Sequence, residues 1–277
     1  MNEIKLIGTD LDGTLLCDDK TLSAATINAL QKAYCKGIHI VPITGRPLQG
    51  VPKCVRELEE IEYIIASNGA SIYDVKNGKE IYSFAIDSKK SRTLIDEMRK
   101  LDCMFEPFAD GVGYTEQYVF DYYMDVFKGT PLEDYFTSSR RICSSYEELF
   151  DGKSRRADEL FINCAAPEIR CKVIDVTHKI GGLQYCNLGD RFIEITRLGT
   201  DKGNALRAIC NHLGVDIKNT VAFGDGENDL QFLQAAGTAV AMENAFPIIK
   251  QNADIIAKSN NNDGVANIIF QIIKQGA

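Results

Sequence analysis

The sequence predicts an α/β protein in which a parallel-sheet core is interrupted by an inserted α+β domain. Two observations lead to this fold class. Short apolar runs alternate with amphipathic segments towards both ends of the 277-residue chain, a pattern typical of strand–helix–strand units. In the middle of the chain this alternation gives way to a mixture of short strands, hairpin signals and helices. We therefore expect a core made of residues 1–85 and 193–277, and a separate domain made of residues 86–192.

The first elements alternate between strand and helix. The apolar run Ile4–Thr9 is too short for a helix, so we predict a strand. Ser23 precedes a segment with one apolar face, and Gly37 follows it, which predicts a capped helix. The next elements are predicted as strand, helix and strand, at Ile38–Thr44, residues 47–60 and Tyr63–Ser67. Such alternation implies parallel strands joined by right-handed crossovers.

The pattern changes after Asn68-Gly69. Two strand-like runs flank Asn77-Gly78, a dipeptide typical of a tight hairpin turn, which a purely parallel sheet does not contain. The elements then predicted are a helix at Ser91–Leu101, strands near Cys103–Pro107, Gly113–Gln117 and Glu159–Ala165, a helix at Glu168–Ile180 and a hairpin through residues 187–190. This mixture indicates an α+β domain.

Strand–helix alternation resumes at Thr200 and continues through the rest of the sequence. The strands are predicted at residues 220–225, 238–242 and 254–258, and the helices at residues 201–214, 227–237, 245–253 and 264–275. The segment "SNNND", residues 259–263, is interpreted as a polar loop. These elements extend the parallel sheet that the first part of the chain begins.

The composition limits which kinds of molecule the protein is expected to bind and which side-chain chemistry it is expected to use. The net charge of -8 offers no basic surface for a phosphate backbone, so we do not expect nucleic acid as a partner. No apolar run is long enough for a membrane span or a secretory leader, which predicts a cytoplasmic protein. The nine cysteines contain no C-x-x-C pair and the three histidines no i, i+4 pair. We therefore expect reduced thiols and no histidine-based chemistry.

Ligands of open parallel sheets bind beyond the carboxyl ends of the strands. The first strand delivers Asp10 and Asp12 to this edge, the second delivers Thr44, and a later strand delivers Asp225 and Asp229. Four carboxylates gathered at one edge would repel one another as bare anions. Because oxygen ligands suit a hard cation, the sequence predicts a Mg²⁺ site there.

Taken singly, these segments have simpler explanations. "DLDG" is also found in plain acidic turns, "TGR" in capped turns, and Lys202 suits an exposed first helical turn. A calcium-binding EF-hand is excluded, because the glycine of "DLDG" comes too early and a strand precedes it. The combination of the segments in one order favours a catalytic site.

The segments "DLDGTL", "ITGR", "DKGNAL" and "GDGENDLQF" occur in this order along the chain. They resemble the four motifs of the haloacid dehalogenase superfamily. The insertion between the second and third segments resembles the cap of the Cof-type, type IIB branch. This resemblance implies a Rossmann-like core with an α+β cap, and a Mg²⁺-dependent phosphatase of sugar phosphates and related metabolites. It also implies that the cap closes over the leaving group of the substrate.

The residue types support phosphate ester hydrolysis. Because the uncatalysed reaction is extremely slow, splitting it into two steps helps. Asp10 is suited to attack phosphorus and form an aspartyl phosphate. Asp12 is suited to protonate the leaving alkoxide and then to deprotonate the attacking water. The resemblance assigns the same roles to both aspartates.

The resemblance also implies the ligands of the site. Asp10 and Asp225 would bind Mg²⁺ through their carboxylates and Asp12 through its backbone carbonyl, with Asp229 in the same metal site or next to it. The donors to the substrate phosphate would be the N–H groups of Leu11 and Gly45, the Thr44 hydroxyl, the Asn228 amide and the Lys202 ammonium.

Other functions stay open at this point. A receiver-type signalling module also uses paired acids and an aspartyl phosphate, but it lacks an acid two residues after the nucleophile and needs no inserted domain. A phosphomutase would use the same residues, and an inactive chain whose cap binds a protein is disfavoured because no motif residue is missing. Neither a substrate nor an oligomeric state is predicted. Candidate cap contacts, which are equally suited to packing or surface positions, are Tyr114, Tyr118, Tyr123, Arg155 and Arg156.

Overall fold

The computed structural model describes residues 3–275, which divide into two compact units. Unit 1 contains residues 3–45, Val51–Tyr82 and residues 201–275. Unit 2 contains Arg46–Gly50 and Ser83–Thr200. Within the described part of the chain, no helix is both long enough and apolar enough to cross a membrane.

The strands are, in chain order, β1 (Leu6–Thr9), β2 (His39–Pro42), β3 (Tyr63–Ala66), β4 (Ser71–Asp74), β5 (Lys79–Ser83), β6 (Cys103–Ala109), β7 (Val112–Glu116), β8 (Arg140–Cys143), β9 (Glu159–Cys164), β10 (Leu183–Leu188), β11 (Phe192–Arg197), β12 (Thr220–Gly224), β13 (Thr238–Met242) and β14 (Ile255–Ala257). The α-helices are α1 (Ala24–Tyr34), α2 (Lys53–Arg56), α3 (Ser88–Met98), α4 (Gln117–Phe127), α5 (Glu133–Ser139), α6 (Tyr146–Leu149), α7 (Pro167–Ile180), α8 (Lys202–Leu213), α9 (Leu230–Ala235), α10 (Pro247–Gln251) and α11 (Gly264–Gln275).

The central sheet of unit 1 is parallel and has the order β14-β13-β12-β1-β2. Strand β1 lies between β12 and β2, with Leu6 opposite both Thr220 and His39. All four residues of β1 are buried, as expected for a parallel strand covered on both faces. The carboxyl ends of β1, β2 and β12 therefore meet at one edge of the sheet, and the predicted α/β fold class is confirmed.

A small antiparallel sheet, β3-β4-β5, continues from this core. Single parallel bridges join the β3 region to β2, between Ile40 and Ile61 and between Ile43 and Ile65. The hairpin predicted around Asn77-Gly78 is confirmed, because these residues lie between β4 and β5.

Unit 2 is built on a six-stranded sheet with the order β10-β11-β9-β6-β7-β8. Its strand pairs are antiparallel except for the parallel pair β7–β8. One apolar cluster joins the sheet to α3, α6 and α7, and includes Leu94, Tyr146 and Val173. A second cluster forms where Tyr123 of α4 meets Phe136 of α5.

The structure corrects several predicted elements. The single helix predicted over residues 47–60 is wrong, since the segment forms a 3-10 turn at Leu48–Gly50 and then the short helix α2, directly after Pro52. Proline has no N–H to donate and disfavours helical backbone in the residue before it. Helices α4 to α6 and strand β8 were not predicted.

The boundary of the inserted segment also differs from the prediction. Residues 46–50, 83–85 and 193–200, which we predicted in the core, cluster with unit 2. For the last of these segments the reason is that β11 pairs with both β9 and β10. That the two units act as a catalytic core and a cap stays a prediction.

Candidate active site

Strand β1 ends at the first of the predicted acids. The Asp10 N–H donates to the carbonyl of Phe223 on β12, at 2.9 Å, so the parallel pairing continues up to this residue. The chain then turns back, and the N–H of Leu15 donates to the Asp10 carbonyl at 3.2 Å. Gly13 has φ +77° in this turn, a conformation that side chains with a Cβ disfavour. The sequence "DLDGTLL" therefore forms a tight turn that holds a buried carboxylate at the end of β1.

Three carboxylates meet at this edge of the sheet. Asp10, Asp225 and Asp229 each offer an oxygen atom, and these atoms all lie within 4.8 Å of one another. Asp229 Oδ2 accepts hydrogen bonds from the N–H groups of Asp225, at 2.9 Å, and Gly226, at 3.0 Å. A Cβ on Gly224 would lie 2.6 Å from the Cβ of Asp229, which explains the glycine at the end of β12. The predicted convergence of the first and fourth motifs is thus observed.

Lys202, the first residue of α8, is buried between two of these carboxylates. Its Nζ lies 2.7 Å from Asp10 Oδ1 and 2.6 Å from Asp229 Oδ1. Helix α8 begins here because the Asp201 side chain accepts a hydrogen bond from the N–H of Asn204. Burial lowers the pKa of Lys202, but the two carboxylates raise it by more, so the ammonium stays charged. The interpretation of Lys202 as an exposed helix residue is excluded.

The pKa values of Asp10 and Asp225 are raised in this group. Burial raises the pKa of Asp10 and repulsion from Asp229 adds to the rise, against the lowering effect of Lys202. Burial likewise raises the pKa of Asp225 to about 6. Lys202 supplies one positive charge to the three carboxylates, so two negative charges remain when all are ionised. The atoms that could bind a metal are all carboxylate oxygens, which suit a hard divalent cation. The three carboxylates can therefore hold a metal ion.

Asp12 stands apart from this group. Its Oδ1 accepts from Lys20 Nζ at 2.8 Å, and its side chain is 39% exposed, against 9% for Asp10. The structure therefore gives the two acids of "DLD" different environments. One carboxylate is buried against an ammonium at the end of β1, and the other is accessible to solvent.

Three of the predicted phosphate donors, Thr44, Gly45 and Asn228, lie in the segments that follow β2 and β12. The buried residue Thr44 follows β2, and its carbonyl accepts from the Asn68 N–H at 3.0 Å. Asn228 donates from Nδ2 to Asn68 Oδ1 at 3.1 Å. Gly45 packs closely against the same side chain, since an added Cβ would lie 3.1 Å from Asn68 Oδ1. Leu11, the remaining predicted donor, directly follows Asp10 and has a fully buried side chain.

Several residues of this site were missed or left without a role by the sequence analysis. Thr14 donates from Oγ1 to Asp225 Oδ1 at 2.8 Å, and Lys20 pairs with Asp12. Thr14 lies inside the quoted "DLDGTL" segment, so its position was a usable signal. Lys20 offered no pattern, because the bond depends on the path of the loop between residues 13 and 20.

The candidate cap contacts occupy different environments within unit 2. Tyr114 and Tyr123 are 3% exposed and belong to the packed interior of the unit. Tyr118 is 53% exposed, and Arg156 is also exposed. Arg155 pairs with Asp110 at 3.2 Å. The packing explanation thus holds for the first two tyrosines.

Comparison with known proteins assigns the family. The model of the haloacid dehalogenase-like hydrolases matches residues 7–269. The chain belongs to this family. The putative phosphatase YxeH of Bacillus subtilis is 30% identical over 278 residues, which cover 97% of this chain and 98% of YxeH. The resemblance inferred from the four motifs is confirmed, and the chain is an enzyme of the phosphoric monoester hydrolase class.

Two further proteins are informative. The 5-amino-6-(5-phospho-D-ribitylamino)uracil phosphatase YcsE of Bacillus subtilis is 30% identical over 267 residues, covering 96% of this chain and 95% of YcsE. The crystal structure of a haloacid dehalogenase-like hydrolase from Bacteroides thetaiotaomicron has a TM-score of 0.83 and 25% identity, and the match covers 98% of this chain and 100% of that one. Both matches extend over at least 96% of this chain, a share too large to leave out unit 2.

Proposed function

We propose that the protein is a Mg²⁺-dependent phosphatase that hydrolyses small phosphorylated metabolites, in particular sugar phosphates, through an aspartyl phosphate. One observation carries this proposal. The carboxylate of Asp10 lies at the end of a central strand, 2.7 Å from a buried ammonium and within 4.8 Å of two further carboxylates. A nucleophile, a cation and metal-binding oxygens are the parts that phosphoryl transfer to a carboxylate requires.

In this proposal Asp10 and Asp225 bind Mg²⁺ through their carboxylates, and Asp12 binds it through its backbone carbonyl. Asp229 supports the site, since its Oδ1 bonds Lys202 and its Oδ2 accepts two backbone N–H groups. When bound there, a Mg²⁺ ion would supply positive charge to the phosphate oxygens and a fixed orientation for the phosphate. When all three carboxylates are ionised, the two negative charges that Lys202 does not balance support a divalent ion at this place.

The reaction has two steps. An Asp10 oxygen attacks phosphorus, the bond from phosphorus to the ester oxygen breaks, and Asp12 gives a proton to the leaving alkoxide. A water molecule then attacks the phosphorus of the aspartyl phosphate while Asp12 takes up a proton from the water. The bond from phosphorus to the Asp10 oxygen breaks, which releases inorganic phosphate and restores the Asp10 carboxylate. The exposure of the Asp12 carboxylate supports this role, because it must reach both the ester oxygen and water.

The phosphate oxygens are held by a fixed set of donors in this proposal. These are the N–H groups of Leu11 and Gly45, the Thr44 hydroxyl, the Asn228 amide and the Lys202 ammonium. Donors aimed in advance at developing negative charge stabilise the transition state more than the ground state. The bond from Asn228 to Asn68 supports this arrangement, since it holds the Asn228 amide beside Asn68, whose N–H donates to the Thr44 carbonyl.

A substrate panel tests the proposal. Hexose and pentose phosphates, nucleotides, erythronate phosphate and pyridoxal phosphate are assayed for phosphate release with Mg²⁺ and with EDTA. We add 5-amino-6-(5-phospho-D-ribitylamino)uracil, because the relative YcsE is named for it. The proposal expects Mg²⁺-dependent release that ceases in EDTA. Full activity in excess EDTA, or transfer of the phosphoryl group to a second sugar in place of water, would contradict it.

A further inference from the structure

The segment that follows the first motif, which we call the β1 loop (residues 13–18), lies directly against Asp225. Thr14 donates from Oγ1 to Asp225 Oδ1 at 2.8 Å. Gly13 packs so closely that an added Cβ would lie 2.3 Å from Asp225 Oδ2. Each carboxylate oxygen of Asp225 therefore has a neighbour in this loop. A shift of the β1 loop would change the orientation of the Asp225 carboxylate.

Side-chain amides from two later segments hold the β1 loop. Asn244, which follows β13, donates from Nδ2 to the carbonyl of Gly13 at 2.7 Å. Asn260, which follows β14, donates from Nδ2 to the carbonyl of Leu16 at 3.0 Å and to Asp18 Oδ1 at 2.9 Å. The two asparagines are also connected, because the Asn260 N–H donates to Asn244 Oδ1 at 3.2 Å.

The segment that carries Asn260 is itself firmly placed. The Asn260 side chain is 7% exposed, and its neighbour Asn261 exchanges two hydrogen bonds with Asp18, at 2.7 and 3.0 Å. A Cβ on Gly264 would lie 2.0 Å from the carbonyl oxygen of Lys258, so the turn closes on itself without spare room. The "SNNND" segment is therefore more than the polar loop that the sequence predicted.

We propose that Asn244 and Asn260 are positioning residues for the metal site, which hold the β1 loop and, through Gly13 and Thr14, hold Asp225 ready to bind Mg²⁺. This inference rests on the proposed function. Both amides donate to backbone carbonyls. These bonds therefore require an N–H donor on each side chain. A carboxylate oxygen in place of the amide nitrogen would face the carbonyl oxygen of Gly13 or Leu16 and could not donate to it. Groups that orient a metal ligand change metal affinity when they are removed, typically by ~10–100-fold.

The test uses Asn→Asp substitutions, which keep side-chain size and remove the donor. The variants are Asn244→Asp and Asn260→Asp in the full chain. The matched control is Asn262→Asp, which adds the same charge to the same segment at an exposed residue that donates to Ser259 Oγ. Mg²⁺ affinity is measured by titration calorimetry without substrate, and kcat and KM are measured at saturating Mg²⁺.

We expect the Mg²⁺ Kd to rise about 10-fold or more in both variants and to stay within twofold in Asn262→Asp. The KM of the ester at saturating Mg²⁺ should change little, because neither asparagine belongs to the proposed phosphate donors. A purely structural role would instead lower the amount of active enzyme and leave the Mg²⁺ Kd unchanged. Asn244 is exposed, so Asn244→Asp decides the question if the buried Asn260→Asp variant does not fold.

Two failures are distinguishable. A wild-type chain that binds no Mg²⁺ would overturn the proposed function and this inference with it. A wild-type chain that binds Mg²⁺, together with a folded Asn244→Asp variant of equal affinity, would overturn the inference alone.

Discussion

Asp10 and Asp12 are two residues apart and each pairs with a lysine, but they differ in burial and in their carboxylate neighbours. Asp10 is buried beside Lys202 within the carboxylate group, and Asp12 is partly exposed beside Lys20. A nucleophile gains from a fixed position next to the metal-binding oxygens, whereas an acid–base group must reach the leaving group and water. The structure thus supports a different role for each residue, and substitution separates them.

Asp10→Asn removes the proposed nucleophile together with a proposed charged ligand of the metal, so we expect neither phosphoenzyme nor turnover. Asp12→Asn keeps both and removes proton transfers that contribute roughly 10²–10⁴-fold. Alkyl phosphates, which need a protonated leaving group, should lose more rate than aryl phosphates, and acid-quenched Asp12→Asn should retain a phosphoryl group on Asp10. The measurements are initial rates on both ester types and mass spectrometry of the quenched protein.

The control for this comparison is Asp19→Asn. Asp19 is an exposed acid seven residues after Asp12, and its carboxylate accepts a hydrogen bond from the Thr21 hydroxyl. The Asp19→Asn variant should keep wild-type rates on both ester types. Equal losses on alkyl and aryl esters in Asp12→Asn, accompanied by loss of Mg²⁺ affinity, would mean that the Asp12 side chain binds the metal and is not the acid–base group.

Helix α8 begins at Lys202, which lies in the site. The next residue, Gly203, allows α8 to approach α9 closely. A Cβ on Gly203 would lie 2.4 Å from the carbonyl oxygen of Gln231. In an open helix Gly→Ala stabilises by up to about 1 kcal/mol. Here we expect Gly203→Ala to lower the free energy of unfolding by about 1–3 kcal/mol, since the helices must separate. Urea unfolding shows whether the substitution lowers or raises the free energy of unfolding.

Asn211→Ala is the matched control for Gly203→Ala, because Asn211 is exposed on the same helix. Its substitution should leave the free energy of unfolding unchanged or raise it slightly. A stabilised Gly203→Ala protein would show that the contact between α8 and α9 relaxes without cost.

Unit 2 contains a buried ion pair. Arg140 of β8 donates to Glu106 of β6 at 3.1 Å, and the two side chains are 4% and 1% exposed. The Arg140 guanidinium also lies over three aromatic rings, at 4.7, 5.2 and 5.0 Å from the ring centroids of Phe108, Tyr135 and Phe136. The pair bridges two strands that are separated by β7 in the sheet order.

Arg140→Met should lower the free energy of unfolding by about 3–5 kcal/mol, because it leaves the carboxylate of Glu106 buried without its cation. The double variant Arg140→Met with Glu106→Leu should recover most of this loss, since both charges are then absent. Denaturant unfolding of the two proteins gives the comparison. Lys100→Met, which breaks the exposed pair with Glu97, should change stability by less than about 1 kcal/mol. Equal losses at Arg140 and Lys100 would contradict this account.

The elements that the sequence predicted well are those with a local signal. Helix α1 begins after the capping residue Ser23, and β1 is buried on both faces, as its apolar run indicates. Helix α4 was missed because its aromatic and β-branched residues also suit a strand, although Val119 and Tyr123 are buried at helical spacing. Its helical form depends on packing against α5, which no local pattern records.

The candidate site divides in the same way. The motif acids were predictable because each follows a strand, and parallel strands deliver their carboxyl ends to one edge. The pairing of Asp12 with Lys20 and the bonds from Asn244 and Asn260 to the β1 loop were not predictable. These asparagines lie more than 200 residues away in sequence, and a polar side chain carries no sign of which carbonyl it will reach.

The distribution of charge over the molecule bears on metal binding. The three grouped carboxylates and Lys202 all belong to unit 1, whereas the buried pair of Arg140 and Glu106 belongs to unit 2. An ion that binds the folded site, and not the unfolded chain, stabilises the fold in proportion to the logarithm of its concentration. The effect of Mg²⁺ on unfolding should therefore depend on unit 1 alone.

We expect Mg²⁺ to raise the unfolding temperature of the wild-type chain. At ten times the Kd, binding adds about 1.4 kcal/mol to the free energy of unfolding, which corresponds to a few degrees for a protein of this size. In Asp225→Asn the shift should be absent, because the group loses one of the carboxylates proposed to bind the ion. Arg140→Met should show the full shift from its lower starting temperature. Thermal scans in EDTA and at increasing Mg²⁺ measure the effect. A shift of equal size in Asp225→Asn would show that Mg²⁺ binds elsewhere, and the metal site proposed at the ends of β1 and β12 would then be wrong.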